Sequence, residues 1–199
     1  QHSCAPCTYT LMTYKWLLEK DFTQMVNYNK SDLFKAKDQS LGMVWTKLIV
    51  GKLFHFSVFY AMPMLLGAPW YLVLWGNVVM HLIAGFILSI TFQLAHVVDK
   101  AEFPTEEEVQ KITNIEHQMK TTANFATKNR LVTWYTGGLN FQVEHHMFPT
   151  INHIHYPKIA EIVRKTAAEF ELPYNEYRTT MSAIKGHFRH LRNMGMQPA

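Results

Sequence analysis

From Leu53 to Val98 the chain carries no Asp, Glu, Lys or Arg, an uncharged run of 46 residues. A soluble core has little use for so long a stretch, whereas two passes through the hydrocarbon of a bilayer need about 20 apolar residues each. All 19 Lys and Arg lie before or after the run. A hydrophobic fraction of 48% and a mean hydropathy near zero suit a globular domain, but that average joins two unlike regions.

The run reads as a helical hairpin. A first span is predicted from about Leu48 to Leu66, with Lys47 and Lys52 snorkelling at its start. Leu66-Gly67-Ala68-Pro69-Trp70 then supplies a turn in which Pro69 breaks the helix, and Trp70 and Tyr71 suit an interface. The second span runs from about Tyr71 to Val98, where Gly76, Gly85 and Ser89 permit close helix contact. With no charge at the turn and basic residues at the outer ends, the positive-inside rule puts both ends in the cytoplasm.

The flanks are more polar. Residues 8–18 are apolar with interfacial aromatics, and fit the end of an earlier membrane helix or a helix on the surface. Residues 19–47, with Lys30, Asp32, Lys35, Lys37 and Asp38, read as a solvated connector. Beyond Asp99, Thr105 is a good N-cap and Glu108 completes a capping box, predicting a helix to about Lys120. Gly137-Gly138 makes a break, and Leu139 to Met147 reads as a short helix ended by Pro149. Residues 157–170 place Ile159, Ile162, Val163, Thr166 and Phe170 on one helical face, with Pro157 at a first helical position. Met181, Ile184, Phe188 and Leu191, accompanied by Lys185, His187, Arg189, His190 and Arg192, form a basic amphipathic helix. That pattern fits a membrane surface and equally a solvated helix packed on its own domain. The expected organisation is therefore an interfacial segment and connector (1–47), a transmembrane hairpin (48–98) and a cytoplasmic helical domain (99–199), all-α throughout.

A net charge of +4 and a pI near 9.0 raise the question of nucleic acid. No nucleic-acid motif accompanies the charge, and basic flanks beside apolar spans are what membrane orientation requires, so no nucleic-acid partner is expected. The opening Gln1-His2-Ser3 has neither an initiator Met nor a signal peptide, which predicts an internal fragment of a longer protein. Cys4 and Cys7 share a C-A-P-C spacing, but with no second pair and no strand–helix context they read as ordinary small residues.

Eleven histidines make this a His-rich chain. In Asn140-Phe141-Gln142-Val143-Glu144-His145-His146, spacings of three and four put Gln142, His145 and His146 on one helical face. Neutral imidazole is a good iron ligand, and an amide oxygen beside it can bind weakly or hold a water. Two adjacent histidines satisfying hydrogen bonds at a helix end would look the same in sequence. What favours a site is His96, placed where the second span leaves the membrane, because an ionisable residue at that depth is a functional-site hypothesis by default. The hairpin returns His96 to the side holding His145 and His146, so three imidazoles are expected to converge, enough for one metal and too few for two.

The segment Gly137 to Pro149 closely resembles the third histidine box of membrane fatty acid desaturases. Gln in place of the first His of that box is typical of the front-end branch, which acts between an existing double bond and the carboxyl end. Phe92-Gln93-Leu94-Ala95-His96-Val97-Val98-Asp99 with Glu102-Phe103-Pro104, Thr121-Thr122-Ala123-Asn124-Phe125 and His153-Ile154-His155-Tyr156-Pro157 are similar to the same family, so the resemblance covers nearly the whole chain. It implies a membrane-embedded helical bundle whose cytoplasmic cap carries a di-iron centre. His96, His145 and His146 would be ligands, and Gln142 a weak or water-mediated one. His153, His155 and Asn140 would support the ligands without touching metal. His117 reads as a helix-surface or hydrogen-bonding residue and His2 as an unassigned member of a Gln-His pair. His55 and His81, within the spans, are not taken as ligands. The implied reaction is oxygen-dependent removal of two hydrogens from a fatty acyl-CoA or acyl-lipid among membrane lipids, with O2 as oxidant and cytochrome b5 or ferredoxin as electron donor. The basic surface around Lys158, Arg164 and Lys165 would suit an acidic carrier. The family's first two boxes, H-x-x-x-H and H-x-x-H-H, do not occur here, so this fragment alone is expected to be inactive. A lipid hydroxylase using the same iron cage and a non-catalytic metal-binding membrane protein are the rival readings.

Overall fold

Backbone polar groups inside a bilayer must be satisfied within their own segment, and the uncharged run is accordingly helical. In the computed structural model, which describes residues 4–31 and 40–196, the chain is mostly helical. Pro6–Ile87 forms one compact unit, and of the other described residues those from Leu88 onward, with Cys4 and Ala5, form a second.

The first unit opens with α1 (Ala5–Thr10) and α2 (residues 12–30, with a wide π turn at Trp16–Lys20). There follow α3 (Leu41–Leu65), which has a second π turn at Ser57–Ala61, and α4 (Trp70–His96), which runs on into the second unit. At 25 and 27 residues, α3 and α4 are long and apolar enough to cross a membrane. Their apolar windows are 0% and 28% buried within the chain, the reverse of a soluble core helix. The solvated connector expected over 19–47 is helical in its described parts, through Lys30 and again from Leu41. Lys47 alone does not interrupt the apolar sequence Leu41, Val44, Trp45, Leu48. Asp32, Lys35, Lys37 and Asp38 lie outside the described residues.

Lys52 does not snorkel. Its Nζ donates to the Leu17 carbonyl at 2.7 Å and pairs with the Asp21 carboxylate at 2.6 Å, so the charge is neutralised within the unit. The close contact foreseen at the small residues is realised at Gly85, where any Cβ would overlap the Thr10 carbonyl, and not at Gly76, which faces open space. Gly85→Ala must therefore push α1 off α4. By the usual penalty for overpacking, about 1–3 kcal/mol, it should lower the unfolding temperature in detergent, whereas Gly76→Ala should leave it unchanged.

In the second unit the capping box forms as expected: Thr105 Oγ1 accepts from the Glu108 amide, and the Glu108 carboxylate accepts from the Thr105 amide at 2.7 Å. The helix it starts, α5 (Glu106–Val109), is short and does not reach Lys120. A new helix, α6 (Asn114–Thr121), begins where Thr113 caps Glu116. A second Thr-x-x-Glu in succession restarts the chain instead of continuing it.

The all-α expectation also misses a two-stranded parallel ribbon, β1 (Ala123–Phe125) with β2 (Asn175–Tyr177), in register Ala123 to Asn175. Between the strands lie α7 (Arg130–Tyr135), α8 (Gln142–Met147) and α9 (Tyr156–Glu169), and α10 (Thr180–Met196) follows them. The ribbon packs Ala123, Phe125 and Tyr177 with Leu94 and Val98 from the end of α4, and with Ala183 of α10. Met119, Val143, Val163 and Ala167 make a second cluster that seats α8 on α6 and α9.

Candidate metal centre

Helix α8 is set by what holds its first turn. Gly137 and Gly138, at φ +60° and +81°, adopt a left-handed backbone that favours glycine. At Gly138 a Cβ would also strike the His153 side chain at 2.6 Å. Asn140 is fully buried: its Nδ2 donates to Thr133 Oγ1 at 3.1 Å, its Oδ1 accepts from Thr136 Oγ1 at 3.3 Å, and its carbonyl accepts the Phe125 amide at 3.0 Å. The loop before α8 is thus locked to β1. Gln142 is buried at the first residue of the helix.

His96, at the last turn of α4, meets α8 directly. Its Nε2 lies 3.2 Å from Nε2 of His146, with the two rings edge to face and their centroids 4.8 Å apart. The His96 ring also hydrogen-bonds to the Thr121 backbone. Burial, reinforced by the neighbouring His96 and His145, lowers the His146 pKa to about 4, so this imidazole is neutral at pH 7. His145 stands beside the pair, its ring 5.6 Å from that of His146, and its Nδ1 is 3.2 Å from the Tyr156 hydroxyl. Among the described residues, no group of three or more His, Cys, Asp or Glu is arranged as a metal site. Two imidazoles meet nitrogen to nitrogen, and the third is adjacent.

The remaining candidates are dispersed. His153 and His155 are exposed, in a short turn before α9. His117 is half-buried on α6. His55 and His81 belong to the other unit, where their rings lie 6.1 Å apart and His81 Nδ1 meets Thr13 Oγ1 at 3.2 Å. Cys4 and Cys7 are exposed thiols, and His2 lies outside the described residues. In the basic patch, Arg164 pairs with Glu176 at 2.7 Å and lies over the Tyr174 ring, with its side chain still partly exposed.

Sequence reasoning overlooked the residue between the box's Val and its histidines. Glu144 is fully buried on the face of α8 opposite the histidines. Each carboxylate oxygen accepts one hydrogen bond at 2.8 Å, from Asn124 Nδ2 and from the Tyr174 hydroxyl. Asn124 also accepts the Val143 amide at 2.9 Å. Burial raises the Glu144 pKa, while the Asn124 and Tyr174 hydrogen bonds pull it back; Tyr174 itself is raised by burial and by the adjacent carboxylate. The network clamps α8 to β1 and to the segment leading into β2. If positions 142, 145 and 146 face a site, position 144 must point into the core, and a charge there demands partners.

A metal test of the pair can be made from its geometry. For metal–nitrogen bonds of about 2.1 Å, two ligands at roughly right to tetrahedral angles put their nitrogens about 3.0–3.4 Å apart. The observed 3.2 Å falls in that interval, the His146 ring is neutral, and imidazole suits iron. The His96 ring's bond to the Thr121 backbone, and the His145–Tyr156 contact, are of the kind that orients ligating histidines.

The fatty acid desaturase family model matches residues 6–178. The chain belongs to that family. It is 39% identical over 150 residues to an acyl-lipid (8-3)-desaturase of Physcomitrium patens, covering 73% of this chain and 31% of that protein. It is 39% identical over 147 residues to the sn-1 linoleoyl-lipid 6-desaturase of Synechocystis sp., covering 72% and 41%, and 36% identical over 153 residues to its counterpart in Arthrospira platensis, covering 76% and 41%. These relatives agree with the front-end branch read from Gln142. The desaturase chain spans about a third to two fifths of their length. No solved structure matches it.

Proposed function

We propose that the protein containing this chain is a multi-pass membrane desaturase that introduces a cis double bond into an acyl-lipid, or a fatty acyl-CoA, at a di-iron centre on the cytoplasmic face. The observation that carries this reading is the 3.2 Å approach of His96 to His146 at the end of a membrane-length helix in a chain of the desaturase family. His96, His145 and His146 would bind iron through Nε2, with Gln142 as a weak or water-mediated donor. Three imidazoles cannot complete two metals, so the other ligands belong to histidine boxes that this sequence does not contain. In this reading α3 and α4 are the hairpin and residues 99–199 the cytoplasmic part. The electron donor is a cytochrome b5 or a ferredoxin.

Breaking an unactivated C–H bond with O2 is chemistry that the iron centre supplies when bound and that no side-chain acid or base can perform. The chain's own contribution is to position and to shield. Burial keeps His146 unprotonated and open to coordination at neutral pH. The Thr121 backbone orients the His96 ring, and the Tyr156 hydroxyl, 3.2 Å from Nδ1, orients that of His145; with Nδ1–H donating to it, Nε2 would keep its lone pair for a metal. Asn140 and the Glu144 network hold α8 so that these rings keep their spacing.

Fatty acid profiling of cells expressing the complete gene tests the reading. A desaturase yields products lacking two hydrogens relative to the substrate. Products that gain an oxygen would identify a hydroxylase built on the same cage, and an unchanged profile under all electron donors would favour a non-catalytic metal-binding protein.

A further inference from the structure

Well inside the hairpin, α3 and α4 each carry a histidine. His55 and His81 stand at matching distances along the chain from the Leu66–Pro69 turn. His81, and Asn77 one turn before it on the same face of α4, are only 7% and 8% exposed. Asn77 uses both protons of its amide. Its Nδ2 donates to the Val73 carbonyl at 2.9 Å and to the Phe59 carbonyl at 3.0 Å, to which Pro63, four residues on, has no N–H to offer. The Thr13 hydroxyl donates its one proton to the His81 carbonyl at 2.8 Å, so the 3.2 Å contact between Thr13 Oγ1 and His81 Nδ1 requires the proton to sit on Nδ1. No Asp or Glu lies between Leu53 and Val98 to balance a charged ring, and a neutral ring with Nδ1–H carries a lone pair on Nε2. That lone pair is buried and, among the described residues, has no hydrogen-bond partner; nor has Nε2 of His55 or Oδ1 of Asn77.

The spacing of the two rings decides what can join them. Their centres are 6.1 Å apart, and with each ring nitrogen about 1.1 Å from its centre the two Nε2 atoms come no closer than about 3.9 Å. A direct N–H···N bond needs about 3 Å, and two nitrogens sharing a metal at right to tetrahedral angles lie roughly 3.0–3.4 Å apart. Neither fits, and a cation would also bring an unbalanced charge into the spans. A single water about 2.8 Å from each nitrogen bridges roughly 4–5.6 Å. We propose that His55 and His81 hold one water molecule between their Nε2 atoms, the water donating to His81 and completing its bonding at His55. Buried waters characteristically occupy such sites, between polar atoms that the protein leaves unsatisfied. Through Thr13, His81 and His55 the water joins α2, α4 and α3 in a polar clasp inside the hairpin. The proposal is independent of the metal centre and takes from the proposed function only that α3 and α4 are membrane spans.

Solid-state nitrogen-15 NMR with magnetisation transfer from water protons tests this, on the complete protein in vesicles of chain-deuterated lipid. His81 should show a protonated Nδ1 and an unprotonated Nε2. Water magnetisation should reach the rings of His55 and His81 but not the indole of Trp75, which is exposed on α4. His55→Phe should reduce the transfer at His81 to the level of Trp75, and Thr13→Val should turn the single His81 tautomer into a mixture. A His81 ring protonated at Nε2, rings at 55 and 81 no wetter than Trp75, or transfer to His81 undiminished by His55→Phe would overturn the proposal. So would an Nε2 signal of His81 that shifts when a chelator is added, since that marks a metal in place of the water. Transfer that also reaches Trp75 would instead overturn the reading of α4 as a span, and the assignment of a bound water with it.

Discussion

Replacing His146 by alanine in the complete enzyme should abolish desaturation, by more than a thousandfold or to the detection limit, while leaving the protein folded. The ring is half-buried and, among the described residues, its side chain's hydrogen-bonding contact is the Nε2–Nε2 approach to His96, so its loss removes no bond that folding requires there. A small polar-to-Ala change at such a place typically shifts stability by about 1 kcal/mol, far less than the loss of a ligand shifts activity. His96→Ala should behave alike, and His117→Ala, on the same domain but away from the pair, should keep most of its activity. Fatty acid profiles measured beside unfolding curves separate the two effects. The metal-free protein should also show the acid side of this arrangement. Because the folded pKa of His146 is lowered to about 4 from the ordinary 6.5, the unfolded chain binds more protons between those values, and this histidine's contribution to stability is lost as pH falls through that window.

Glu144 should produce the largest change in stability. Glu144→Leu leaves the Asn124 amide and the Tyr174 hydroxyl buried without their shared acceptor, and two lost hydrogen bonds to a charge amount to about 3–5 kcal/mol. For a domain of this size that is a fall of roughly 10 °C or more in unfolding temperature. Glu144→Gln should lose far less, since its amide oxygen still accepts from Asn124 and its NH2 donates to the Tyr174 oxygen. The sign with pH is opposite to that of His146. A carboxyl whose folded pKa is raised by burial contributes most below its unfolded value of about 4.5, and that contribution is lost as pH rises through the folded value. The glutamine variant should therefore close its stability gap with the wild-type protein as pH rises. A gap that widens with pH would show that the carboxylate is stabilised, not strained, by its surroundings. Since α8 carries His145 and His146, Glu144→Leu should also weaken metal retention in the protein that remains folded.

What the sequence made legible follows from range. The hairpin was readable because an uncharged run of that length admits few structures, and the capping box at Thr105 because its two partners are three residues apart. The meeting of His96 with His146 was foreseen from the return of a hairpin, a topological argument needing no contact map. The restart at Thr113 was also written locally, as a second Thr-x-x-Glu, and was obscured by the acidic run at Glu106-Glu107-Glu108 before it. The ribbon of Ala123–Phe125 with Asn175–Tyr177 was not legible: strands of three residues without β-branched alternation carry no period, and their pairing spans some fifty residues of chain. Glu144 shows a different limit. Its helical phase opposes the histidines, a local signal that the sequence reading passed over, and the partners that make a buried carboxylate tolerable, Asn124 and Tyr174, come from distant segments. The early start of α3 reflects the weakness of one lysine as a boundary, when Lys52 further on can find Asp21 on α2.

The central claim, that His96 and His146 share a metal, is tested most directly by iron analysis and iron X-ray absorption on the purified complete protein and its His96→Ala and His146→Ala variants. The account predicts iron bound by several imidazole nitrogens in the wild-type protein, and a loss of iron in both variants but not in His117→Ala. Undiminished iron, with unchanged nitrogen coordination, in a folded protein lacking both His96 and His146 would contradict it.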